Sequence, residues 1–229
     1  MGHRLLLFVL VFALIGCGEN NPTIKPDAGV ASSATLTKHA PAIIVEHKIP
    51  AIGVPKRLPS PSLMKTDLRV QKPKEIDEYY EAIIWPLYKR FGNDAYDNKL
   101  LQLDMTEGQR NILLMRLAEC EIGNGGFHQF IGNCGIGVAR HSQAAFELCG
   151  DKRSAYLISN ALKLIPGYNN DTPEHTAYKA FEAIDYKLEW DEKAKPLHDI
   201  WFDRKYNAEK SDAIDKFIVL NLEHFFVTK

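Results

Sequence analysis

The chain has 229 residues, with 28 Lys or Arg against 29 Asp or Glu, a formal net charge of −1, and 45% hydrophobic residues. That length leaves room for one ordinary domain and a tail, not for several large domains. The charge is divided: residues 1–75 hold ten basic and five acidic side chains, a balance of +5, whereas residues 76–229 hold 18 and 24, a balance of −6. The second part is mildly acidic, and no nucleic acid partner is expected of it.

Met1 to Arg4 carries positive charge on Arg4, and an unbroken apolar run follows from Leu5 to Ile15. This is the layout of an export signal. At 1.5 Å per residue the run makes a helix of about 16 Å, half of a bilayer core of about 30 Å, so it is too short for a permanent span. It ends in Leu14-Ile15-Gly16-Cys17. That tetrapeptide resembles the lipobox of bacterial lipoproteins. The resemblance implies that residues 1–16 are removed, that the Cys17 thiol takes a diacylglycerol, and that the new amine is acylated, commonly by palmitate. Two or three acyl chains suffice for stable attachment. The expected location is the cell envelope, with the membrane as a partner through the lipid on Cys17. Gly18 stands where an Asp would resemble an inner-membrane retention signal, which favours the outer membrane.

Residues 17–74 read as a lipidated Cys followed by a flexible linker. Eight of the chain's twelve prolines fall in it, and residues 18–74 contain no aromatic side chain. Such a stretch buries too little apolar surface to offset its ordering entropy and is expected to be disordered and semi-extended.

From residue 75 to 229 the periodicity is helical. Ile76, Tyr79, Tyr80, Ile83, Ile84, Leu87, Tyr88 and Phe91 recur at three- and four-residue steps. Pro86 predicts a kink or break near Ile84–Trp85. Thr106 with Gln109 forms a capping box that opens a second helix, which the Gly123 to Gly126 run stops. A third helix is expected near Val138 to Leu148. Asp151 caps a fourth, Ala155 to Leu164. Thr172 and Pro173 start a fifth that extends through Tyr186 and Leu188. A short element, Leu197 to Phe202, follows Pro196, and the last helix covers about Ala208 to Phe226. Period-two stretches are missing, so the fold class is all-α, a single domain of six or seven helices.

Cys120, Cys134 and Cys149 follow Cys17. Their odd number leaves at least one thiol outside any intrachain pair, and the pairing of the others stays open. Their spacing with His does not suit zinc, so no metal is expected, and no cofactor.

The most distinctive residues are Thr106-Glu107-Gly108-Gln109-Arg110, then Glu119 and Glu121, then Asn124-Gly125-Gly126-Phe127-His128-Gln129-Phe130. They resemble a bacterial domain family of unknown function that includes DNA mimic protein 19, over roughly residues 76–226. Two readings of the stretch stand. In one it is a structural corner: Gly125 and Gly126 reverse the chain, Phe127 and Phe130 enter the core, and Asn124 and Gln129 bond freed backbone groups. In the other, Glu121, Asn124, His128 and Gln129 line a groove for a ligand or partner. The resemblance also implies an alternative role, occupation of the DNA-binding face of another protein. That role needs acidic groups at about one charge per 1.7 Å of duplex axis. Here a balance of −6 is spread over 154 residues and interspersed with Lys179, Lys187, Lys193 and Lys195.

Catalytic signatures are missing: no nucleophile elbow, phosphate loop, zinc-protease helix or dinucleotide fingerprint occurs. Glu119 and Glu121 are two apart on a helix and point to different faces. The expected function is a non-catalytic protein-binding domain on a lipid anchor, of which an immunity-type lipoprotein is one form. An enzyme with a pocket near Glu121 and His128 is the competing possibility.

Overall fold

A computed structural model of the chain describes residues 49–62, 64–91, 102–184 and 190–227. Cys17, the expected export signal and the first part of the expected linker lie outside the described residues, as do Tyr186 and Leu188. Six α-helices are described: α1 Tyr79–Phe91, α2 Glu107–Leu148, α3 Lys152–Lys163, α4 Glu174–Glu182, α5 Asp191–Trp201 and α6 Arg204–Leu220. Among the described residues the one extended pairing is an isolated parallel bridge between Val70 and Phe226. The all-α class therefore holds.

Helix α2 is the spine, contacted by α1, α3, α4 and α5, while α6 packs on α1 and α5. Its start is the capping box read from the sequence: Thr106 Oγ1 accepts from Gln109 N at 3.1 Å, and Gln109 Oε1 accepts from Thr106 N at 3.0 Å. A third partner comes from the far end of the chain. His224 Nδ1 accepts from Gly108 N at 3.2 Å, satisfying another N–H that a helix start leaves unpaired. Because Nδ1 accepts, the ring proton sits on Nε2, which donates to Pro59 O at 2.8 Å.

Several element boundaries differ from the sequence expectation. Pro86 does not break α1, and α5 begins before Pro196 rather than after it. Ile83 and Ile84 before Pro86, and Leu87 and Phe91 after it, are all buried. Packing on both sides of the proline outweighs a local cost of about 3 kcal/mol. The glycine run does stop the first helical segment of α2, as expected: backbone angles leave the helical region at Gly125 and Gly126, a further segment follows that the sequence did not suggest, and Gly135 breaks the chain again before the segment that ends at Leu148. Thr172 is not the cap of α4. Pro173 takes that place, and the Thr172 hydroxyl accepts from Asn169 N in the preceding turn. Helix α6 starts four residues early, at Arg204, because the Asp203 carboxylate caps Tyr206 N. It ends at Leu220, and Leu222–His224 is a separate 3-10 turn.

The largest correction concerns the linker. Residues 49–74 are not a free tether, because this arm is pinned to helix ends. Lys56 N donates to Leu148 O at 2.8 Å, a carbonyl that the end of α2 leaves without a helical partner, and Gly53 N donates to Gly150 O in the turn before α3. Gly150 has φ +91°, and a Cβ there would sit 2.7 Å from Gly53 O, so only glycine lets the arm approach. Buried Asn221 closes α6 and grips the arm: its Oδ1 accepts from Leu58 N at 2.7 Å, and its Nδ2 donates to Lys56 O and Phe217 O. Leu58 is buried between these points. Hydrophobic content underestimated the order of this segment because main-chain bonds to orphan helix carbonyls hold it.

Candidate functional site

The signature residues form the first break in α2. Gly125 has φ −149°, and Gly126 has φ 77° and ψ −174°, a region essentially reserved for glycine. A Cβ on Gly126 would lie 2.6 Å from His198 Nε2. That closeness has a purpose: the break frees the N–H of Phe127, and His198 Nε2 from α5 accepts it at 3.2 Å. The Phe127 ring stacks on His198 at 5.4 Å and meets Trp201 edge-on at 5.6 Å. Phe127 and Phe130 are both fully buried.

Polar groups of the motif also turn inward. Glu121 is 1% exposed, and its Oε2 accepts from Gln129 Nε2 at 3.0 Å and from Asn133 Nδ2 at 2.7 Å. The carboxylate thus clasps the two helical segments across the break. Gln129 bonds a side chain and not, as expected, a freed backbone group, and Asn124 is exposed. His128 packs against Phe181 at 4.6 Å and Trp190 at 5.5 Å. Burial, with the Glu121 charge adding to it, pushes the Cys134 thiol well above its ordinary range. Cys120, Cys134 and Cys149 are all free thiols.

A second polar cluster escaped the sequence reading. Lys210 Nζ lies 3.4 Å from Glu119 Oε1 and 4.4 Å from the Trp201 ring centroid, and Glu119 also faces Arg116 at 3.8 Å. Tyr206 donates to Asp151 Oδ2 at 3.3 Å and touches the Ser154 hydroxyl. Burial raises the Asp151 carboxyl above its ordinary value, and its bonds from Ser154 oppose this. Lys210 sits on the buried stripe formed by Tyr206, Ala213, Ile214 and Phe217, and a lysine at that phase was the available signal. Glu119 and Glu121 serve different clusters, as their two-residue spacing requires.

Two open concavities lie elsewhere among the described residues. A cleft of about 380 Å³ runs between Ile49, Arg153, Ile200, Asp203 and Tyr206. An apolar trough of about 580 Å³ is floored by Val54, Pro55, Ile76, Val219 and Leu220, with Asp212, Asp215 and Lys216 along one wall.

Comparison with known proteins adds one assignment. A family model described as DMP19-like protein matches residues 103–221, which is 119 of 229 residues and spans the capping box, the glycine corner and α3 to α6. Neither a curated protein nor a solved structure matches the chain. The match covers the part of the chain in which every signature residue has a structural partner or a place in the corner, and the chain belongs to the DMP19-like protein family.

Proposed function

We propose that this protein is an envelope lipoprotein, anchored through Cys17, whose helical domain binds another protein and performs no catalysis. The observation that carries the binding half is the inward use of the signature: Glu121 is 1% exposed and clasped by Gln129 and Asn133, which gives the motif's carboxylate a structural role. An enzyme centred on Glu121 and His128 would need an open polar pocket there. The anchoring half rests on Leu14-Ile15-Gly16-Cys17 after an apolar run. No helix among the described residues is long and apolar enough to cross a membrane. A DNA-like acidic face is disfavoured, since Asp199 and Asp212 are paired with Lys195 and Lys216. An immunity-type role, neutralising a protein that enters the envelope, fits a tethered binder.

The test has two readouts on one chain. Cells fed an alkyne fatty acid should label the wild type in the membrane fraction and leave Cys17→Ser unlabelled and soluble. Co-expression with toxin candidates encoded nearby should give protection and co-purification. Label that ignores Cys17 overturns the anchor, and turnover of a substrate lost in Glu121→Gln overturns the binding role.

A further inference from the structure

The apolar trough beside α6 is built from three segments distant in sequence. Val54 and Pro55 come from the docked arm, Ile76 precedes α1, and Val219 and Leu220 end α6. Three of these aliphatic side chains are unusually open, with Val54 86% exposed, Ile76 54% and Val219 42%. Single exposed aliphatics are ordinary, whereas several along one concavity mark an interaction site. A volume of about 580 Å³ accepts one or two large apolar side chains.

Charge selects the occupant. Asp212 and Asp215 stand on the trough wall, and Asp77 is near enough to act on Asp215. Lys216, the cation lining the trough, is already committed to Asp212 at 2.6 Å. Burial, followed by the neighbouring Asp212 and Asp77 carboxylates, raises the Asp215 carboxyl above its ordinary value. Asp215 is itself exposed, so a cation arriving beside it gains a modest attraction that salt screens.

The geometry points to this trough as the docking site for a partner protein's segment that presents an aliphatic or aromatic side chain next to Lys or Arg. This rests on the protein-binding reading above and names its surface and the partner's chemistry. Docking across the arm and α6 would also couple binding to arm position, because Lys56 and Leu58, which follow Val54 and Pro55 in the arm, are held by Asn221.

Two measurements test it on the full chain. In the first, a fluorescent peptide with a Leu-Phe-Leu core flanked by lysines is titrated alongside a twin flanked by glutamates. The lysine peptide should bind at least tenfold tighter and weaken as salt is added. Val219→Asp should cost at least tenfold and Asp215→Asn at least threefold, with unchanged melting temperatures. Glu182→Gln, which removes an exposed acid of α4, should change binding less than twofold. Equal binding of the two peptides, or equal losses in Asp215→Asn and Glu182→Gln, overturns the proposal. In the second, a photo-crosslinking residue replaces Val219, or Phe202 for comparison, in the cells that make the protein. Crosslinks from 219 should map to a partner segment with Lys or Arg within three residues. Crosslinks from 202 alone overturn the trough while leaving a protein-binding role. Their absence at both positions overturns both readings, and crosslinks from 219 to this chain's own residues 18–48 overturn the partner class.

Discussion

The glycine corner of α2 and the trough along α6 use side chains in opposite ways. At the corner, conspicuous residues turn inward: Phe127 and Phe130 fill the core, His198 caps a freed N–H, and Glu121 clasps Gln129 and Asn133. At the trough, undistinguished aliphatics face solvent. The difference teaches that a recognisable signature can mark the place where backbone geometry allows few alternatives. A binding surface tolerates many aliphatic combinations and leaves a weaker trace.

That contrast breaks most directly at Phe127. If the corner is architecture, Phe127→Ala should lower unfolding free energy by about 3–5 kcal/mol, the range for a fully buried aromatic. Urea denaturation measures it. An unchanged midpoint with lost partner binding would reverse the roles of the two regions. Gly126→Ala comes next. Its backbone angles cost a side-chain-bearing residue about 1–3 kcal/mol, and displacing His198 removes the Phe127 cap, worth about 1 kcal/mol. The expected loss is about 3 kcal/mol by the same titration, and adding His198→Ala relieves the side-chain clash but not the backbone cost.

How much of this was legible in the sequence depends on how local the cause is. The Thr106–Gln109 box and the Asp151 cap span three residues, so spacing alone revealed them. The Gly125–Gly126 break was visible, yet the helical segment directly after it was not, because His198 supplies the acceptor for its first N–H from 71 residues away. The docked arm was illegible for the same reason, since its grips on Asn221 and His224 span 163 to 165 residues. Composition counted only what residues 49–74 could bury and missed the bonds they could accept and donate. Of the candidate residues, Glu121, Phe127, Gln129 and Phe130 fell into the structural reading, whereas no sequence pattern pointed to Val54, Ile76 and Val219 as one surface.

The arm therefore offers a sharper comparison between tether and docked segment. Asn221→Ala deletes three hydrogen bonds and leaves buried main-chain groups of the arm and α6 unpaired, at about 2 kcal/mol. Limited trypsin digestion should then cut after Lys56 or Arg57 much faster than in the wild type. A free tether would be cut equally fast in both proteins, with no change in stability.

The smallest effect at neutral pH lies in the thiols, and it separates interior from surface by titration. Burial pushes the Cys149 thiol up from 9.0 to about 12. A group whose folded value is raised contributes stability that is complete below its unfolded value and is lost as pH rises toward the folded one. The window is therefore pH 9 to 12, where the unfolded chain releases the proton that the native chain retains. Urea midpoints of the wild type should fall between pH 8 and pH 11, and the fall should be shallower in Cys149→Ala, since the slope attributable to this thiol is gone. At pH 8 iodoacetamide should leave Cys134 and Cys149 unmodified in the native protein and alkylate both in urea. Rapid native labelling of Cys134 would mean that the corner opens readily, and an inward-turned signature would then lose its claim to be the rigid half of the comparison.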